Sequence, residues 1–133
     1  MSGEKSLEVL LKHLEPELNP GEYVFCTVDS LEAFNEVSVV ASIQEKEGIT
    51  IVLERRVADS LELSYEFVSS WITLTVHSSL DAVGLTAAFS NALSKQNISC
   101  NVIAGYYHDH LFVNVDDSEE ALNVLKDLGK EKG

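Results

Sequence analysis

The stretch from Trp71 to Asp116 reads WITLTVHSSLDAVGLTAAFSNALSKQNISCNVIAGYYHDHLFVNVD. Its opening residues alternate, with Trp71, Thr73, Thr75 and His77 on one side and Ile72, Leu74 and Val76 on the other. A period of two belongs to a pleated strand whose apolar side faces a core. Ser78-Ser79-Leu80-Asp81 then has the spacing of a capping box, with Asp81 in place of the usual Glu or Gln. The spacing predicts the best helix of the chain over 81–96, with Ala82, Leu85, Phe89, Ala92 and Leu93 as its buried stripe. Asn97 follows at the left-handed C-cap position, where Asn is second only to Gly. Two strands are predicted over 98–104 and 110–115, about a turn at 105–109. Ser118 is placed to cap a last helix running to Leu128, and residues 129–133 are expected to fray.

Toward the N-terminus, Leu7, Leu10, Leu11 and Leu14 recur at helical spacing and predict a short amphipathic helix over 6–14. Pro16 and the Asn19-Pro20-Gly21 punctuation end it and open a loop. Residues 23–28 (YVFCTV) form a strand by composition, and 30–36 a loop or a short helical turn. Strands at 38–44 and 49–53 are joined by the charged hairpin Glu45-Lys46-Glu47-Gly48. A helix is expected over 55–61, and 63–68 leads into the next strand. The second half therefore reads β-α-β-β-α and stops, while the first reads α-β-β-β-α-β. The halves complete each other if an N-terminal strand supplies the missing fourth strand of the C-terminal sheet. The expected organisation is two tandem halves, residues 1–68 and 69–133, sharing strands as one folding unit.

A chain of 133 residues is long enough to bury roughly two thirds of its unfolded surface. Its 45% hydrophobic and 23% charged residues are ordinary for a globular protein. The net charge of −13, from 22 acidic and 9 basic residues, repels phosphate. No Lys or Arg occurs from Val57 to Ser94. Nucleic acid, anionic membrane and polyphosphate partners are thereby disfavoured. Cys26 and Cys100 sit in apolar runs and read as free buried thiols in a reducing compartment. Glu4, Glu8 and Glu15 interrupt the N-terminal apolar residues, and no apolar run approaches the roughly 20 residues of a membrane span. A cytoplasmic protein is expected.

The residues from Ser79 to Val102 resemble the ACT signature. Its D-x-x-G loop corresponds to Asp81-Ala82-Val83-Gly84, the helix end to Ala92-Leu93, and the turn into the next strand to Asn97-Ile98-Ser99. The family usually has Pro where Val83 stands and Gly where Asn97 stands, and Asn tolerates the left-handed geometry. With GEYVFCTV at 21–28, EKEGITIVL at 45–53 and GYYHDHLFV at 105–113, the chain looks like small, uncharacterised bacterial tandem ACT-like proteins. These are similar in turn to the ACT repeats of the cytosolic arginine sensors of animals. The resemblance implies an α+β fold of two tandem ferredoxin-like βαββαβ units with antiparallel sheets, the first degenerate. It also implies a non-enzymatic, amino-acid-binding regulatory role and a homodimer or higher homo-oligomer, because ACT sheets tend to pair edge to edge.

A zwitterionic amino acid needs N–H donors for its carboxylate and acceptors for its ammonium. The start of the predicted helix offers unpaired N–H groups. Gly84 and Gly105 leave room beside the backbone. Asp109 is a counter-ion for an ammonium or guanidinium group. By resemblance, Gly105, Tyr106 and Asp109 match the part of the arginine-sensor repeats that holds ligand, and Asp81 matches the loop acid of the family. The expected ligand site comprises Ser79, Asp81, Val83, Gly84 and Leu85 from the loop, with Gly105, Tyr106 and Asp109 from the facing turn. Each has a plainer reading: Gly84 as a packing glycine, Asp81 as a cap, Asp109 as a turn residue, Tyr106 and Tyr107 as cover for a sheet edge or an interface.

His108 and His110 on one strand face, with His77 from a neighbouring strand, would give three zinc ligands. Two of them lie at a turn, however, and no acid is fixed behind them. No nucleophile elbow, Gly-rich phosphate loop or paired carboxylate motif is present. No cofactor or metal is expected. The alternatives to a ligand sensor are a ligand-free protein–protein interaction module and, more remotely, a metal-dependent enzyme built on those histidines.

Overall fold

The computed structural model describes residues 7–34, 39–75 and 84–132. Four helices occur among these residues: α1 (Leu7–Lys12), α2 (Arg55–Ser60), α3 (Leu85–Lys95) and α4 (Ser118–Lys132). There are seven strands: β1 (Pro16–Leu18), β2 (Tyr23–Val28), β3 (Ala41–Gln44), β4 (Ile49–Glu54), β5 (Val68–Leu74), β6 (Cys100–Ala104) and β7 (Asp109–Asn114). The chain divides into a larger unit, residues 1–19 with 70–133, and a smaller unit, residues 20–69. The first helix and strand go with the C-terminal segment in the larger unit.

In the larger unit the strand order is β1-β5-β7-β6, the order of an α+β ferredoxin-like sheet. Alternation along β5 and β7 sends Ile72, Leu74, Leu111 and Val113 into one core with Leu10, Leu11, Phe89, Leu93 and Leu125 of the helices. Each of these side chains is almost fully buried, a stabilisation of about 1.5–3 kcal/mol apiece. Trp71, Thr73, His110 and Phe112 alternate onto the opposite face of the same strands.

The segment after α1, expected to be loop, is the fourth strand of this sheet. β1 runs antiparallel to β5, with Pro16, Glu17 and Leu18 opposite Leu74, Thr73 and Ile72. The pairing is extended where Thr75 N–H donates to Glu15 O (2.8 Å) and Asn19 N–H donates to Trp71 O (2.9 Å). Three residues including Pro and Glu carry no strand pattern. The edge of β5 imposes the extended form by offering donors and acceptors, and Pro is tolerated at a strand's first position.

α3 begins at Leu85, later than the predicted residue 81, because Gly84 at its N-cap has φ +98°, a left-handed backbone that cannot continue a helix. The Ser78–Asp81 capping box and Ala82 lie outside the described residues. At the other end Asn97 takes φ 61°, as expected of it. The N–H groups of Asn97 and Ile98 donate to Ser94 O (2.9 Å) and Leu93 O (3.0 Å). This is a Schellman closure with buried Ile98 beside Leu93. Ser118 does not cap α4. A 3-10 turn, Val115–Asp117, precedes it, and Asn114 caps that turn, its side-chain oxygen accepting the Asp116 N–H at 2.9 Å. α4 continues past Leu128 to Lys132. Gly129 permits this, since a Cβ there would lie 3.1 Å from Leu11 O.

In the smaller unit the order is β3-β4-β2-β5, with β2 antiparallel to β4 and to the first two residues of β5. Ser69 Oγ donates to Tyr23 O at 2.8 Å. The β3–β4 hairpin closes through Glu45 N–H to Gly48 O (2.9 Å). Its core gathers Val24, Cys26, Phe34, Ile51, Leu53 and Ala58. A 3-10 turn, Glu32–Phe34, stands between β2 and β3, where the first helix of a ferredoxin-like unit belongs.

Candidate functional site

β5 and β7 are neighbours in the larger unit. Trp71 stacks on Phe112 while Thr73 reaches His110, so the two strands run in opposite senses. The C-terminal end of β5 therefore lies at the same end of the sheet as Asp109 and the β6–β7 turn. α3 returns the chain to Cys100, opposite Val113 at the far end, so its first turn also belongs to the near end. The topology thus gathers the approach to Gly84 and the turn at Gly105 at one end.

The turn closes where Gly105 N–H donates to His108 O at 2.9 Å. A Cβ on Gly105 would lie 2.9 Å from that oxygen and 3.1 Å from His110 Nε2, so a side chain is excluded by contact. Tyr106 and Tyr107 are 77% and 69% exposed at the tip, packed edge to face with centroids 5.0 Å apart. Asp109 pairs with Ala104 and alternates onto the same side as Leu111 and Val113. Half-burial raises its carboxyl above the usual Asp range, against the attraction of His110 and His108. Among the described residues its carboxylate has no hydrogen-bond or ion-pair partner.

The hairpin therefore holds Gly105, Tyr106 and Asp109 together. The loop residues differ from one another. Leu85 is 4% exposed and belongs to the helix-side core. Gly84 packs against α1, a Cβ there meeting Leu7 Cδ2 at 3.2 Å. Ser79, Asp81 and Val83 lie outside the described residues.

A polar network crosses the opposite face of the sheet. The Trp71 indole N–H donates to His110 Nδ1 at 3.0 Å, and Thr73 Oγ1 lies 3.4 Å from the same nitrogen. Asn19 Nδ2 donates to Thr73 Oγ1 (2.9 Å) and Trp71 O (3.1 Å). A ring whose Nδ1 accepts a hydrogen bond carries its proton on Nε2. In that form the Nδ1 lone pair of His110 is engaged by Trp71 and Nε2 carries the proton. His108 Nδ1 is buried with no partner among the described residues, and His77 lies outside them. Asn19 gave no sequence signal for this network. Trp71 and Thr73 gave only their alternation away from the core.

No curated protein matches the chain. Among solved structures, a Vibrio cholerae protein of unknown function, a possible transport protein, is 48% identical over 94% of this chain and 97% of its own, with TM-score 0.85. An Agrobacterium tumefaciens protein is 18% identical, covering 88% of this chain and 90% of its own, TM-score 0.66. The ligand-free regulatory subunit of aspartate kinase from Thermus thermophilus has the same fold at 9% identity, covering 85% and 95% of the two chains, TM-score 0.64. Two ACT domain profiles match, over residues 2–70 and 66–127. The chain belongs to the ACT domain family and consists of two ACT domains in tandem.

Proposed function

We propose that this protein is a regulatory module that binds an amino acid or a related small metabolite. The ligand would sit at the end of the larger unit's sheet, between the Gly105–Asp109 hairpin and the start of α3, with Ser79, Asp81 and Val83 as the further candidates from the sequence. The observation that supports this most is Asp109: a half-buried carboxylate with no partner among the described residues. Shielding such a group partly from water costs stability, and an arriving ammonium or guanidinium would supply the missing charge. The shared fold with an aspartate kinase regulatory subunit agrees with a regulatory role. Binding would act by linkage, stabilising one arrangement of subunits or partner over another by the difference in affinity. We place this in a homo-oligomer in the cytoplasm, where the free thiols of Cys26 and Cys100 stay reduced.

A thermal-shift screen of the common amino acids and divalent metals tests this. A ligand at about 100 times its Kd adds roughly 2.7 kcal/mol to stability. The reading expects a shift with one amino acid that disappears in Asp109→Asn and persists in His108→Ala. A shift with zinc alone, abolished in His108→Ala, would replace it with a metal site. The exposed Tyr106–Tyr107 pair favours a second reading, a protein-binding hairpin that has lost its ligand. No shift with any compound would select that reading.

A further inference from the structure

We propose that His110 is a proton-operated latch between the sheet of the larger unit and its β6–β7 turn. Uncharged, it accepts the Trp71 N–H; protonated, it releases Trp71, donates to Thr73 and displaces the Gly105 turn.

Trp71 Nε1 and His110 Nδ1 stand 3.0 Å apart, and the indole is donor only. A proton taken from solvent onto Nδ1 sets two N–H groups head to head, and the contact turns repulsive. Thr73 Oγ1 is already 3.4 Å from Nδ1. It accepts from Asn19 at 2.9 Å and has a second lone pair for the imidazolium. The other edge of the ring faces Gly105. Nε2 lies 3.1 Å from where a Gly105 Cβ would be, so the ring occupies the space beside the glycine whose N–H closes the turn on His108 O, and a movement of the ring is felt at that turn. The result is a swap of one hydrogen bond for another, with a turn as its readout.

Among the described residues, the charged groups facing His110 are few. On its own hairpin are His108, with ring centroids 6.5 Å apart, and Asp109. Across β5, Glu17 stands opposite Thr73 on the same face. β6 offers only the uncharged Ile103 opposite, and β5 the uncharged Trp71 and Thr73. Burial, then His108, hold the imidazolium below the usual histidine range, against the pull of Asp109. The latch is therefore closed at neutral pH and opens in mild acid.

Trp71 is the one tryptophan of the chain and reports on the contact directly. Its fluorescence, titrated from pH 8 to pH 4.5, should show a one-proton step with a midpoint below 6.5. His110→Gln, whose amide oxygen accepts the same N–H without titrating, should abolish the step. The Gly105 amide resonance should follow the same midpoint in the native chain and stay flat in His110→Gln. Trp71→Phe removes the donor and should raise the His110 midpoint, read by NMR, by about half a pH unit to one. The latch is overturned by a step that survives His110→Gln, by a static Gly105 amide while His110 titrates, or by an unmoved midpoint in Trp71→Phe. A step that coincides with loss of far-UV circular dichroism is acid unfolding and overturns it as well. None of these measurements uses a ligand, so the latch stands or fails apart from the amino-acid reading.

Discussion

A Cβ on Gly84 would lie 3.2 Å from Leu7 Cδ2, so the N-cap of α3 and the first residue of α1 are packed to the limit of a glycine. The φ of +98° adds a second cost to any side chain there. Gly84→Ala should lower stability by about 1–2 kcal/mol, with the left-handed backbone supplying at least half. For a chain of this size that is a fall in Tm of roughly 3–8 °C. Leu7→Ala in the same background should restore part of the loss by clearing the contact. If the two losses simply add, the contact is not the cause.

Asp109 gives a pH dependence with a definite sign. Its folded pKa is raised by burial, so the folded state holds the proton more tightly than the unfolded chain. Stability from this group is therefore present at low pH and falls as pH rises through the interval between the unfolded and folded values. Above that interval the charged, half-buried carboxylate is a constant penalty. Asp109→Asn should raise Tm at pH 7 and leave it nearly unchanged near pH 3. A lower Tm for Asp109→Asn at pH 7 would mean that the carboxylate has a stabilising partner.

What the sequence disclosed follows from which interactions are local. The alternation at Trp71–Leu74, the hairpin turns and the left-handed Asn97 are set by neighbours within a few residues, and each is found where expected. β1 escaped because its strand character comes from β5, more than fifty residues away in the chain. The later start of α3 turned on one backbone angle at Gly84. For the site, Gly105, Tyr106 and Asp109 share one hairpin and could be read together. The Asn19–Thr73–Trp71–His110 network is assembled by pairs 37 to 54 positions apart, which no local pattern records.

The two thiols should be slow nucleophiles. Burial pushes the Cys100 thiol up to about 11 and raises that of Cys26 as well. At pH 8 only about one Cys100 in a thousand would be thiolate. With a thiol-specific chromophoric disulfide, the native chain should label at least tenfold more slowly than the chain in denaturant, where both thiols approach their ordinary pKa near 8.5. Prompt labelling of one equivalent under native conditions would show an exposed thiolate and contradict the packing around Cys100.

The larger unit draws residues from both ends of the chain, and this sets the most exacting expectation. Leu10, Leu11 and Leu14 are 1%, 2% and 6% exposed in the core that α3 and α4 cover. At about 1.5–3 kcal/mol each, their removal forfeits roughly 5–9 kcal/mol. That matches the whole stability of a typical domain, about 5–15 kcal/mol, before the lost pairing of β1 with β5 is counted. A fragment of residues 70–133 should therefore lack a cooperative thermal transition. A permuted chain carrying residues 1–19 after residue 133 through a flexible linker should recover it, because it restores the strand opposite Ile72–Leu74. A fragment 70–133 that melts cooperatively as a monomer would show that the C-terminal segment completes its sheet without the N-terminal strand.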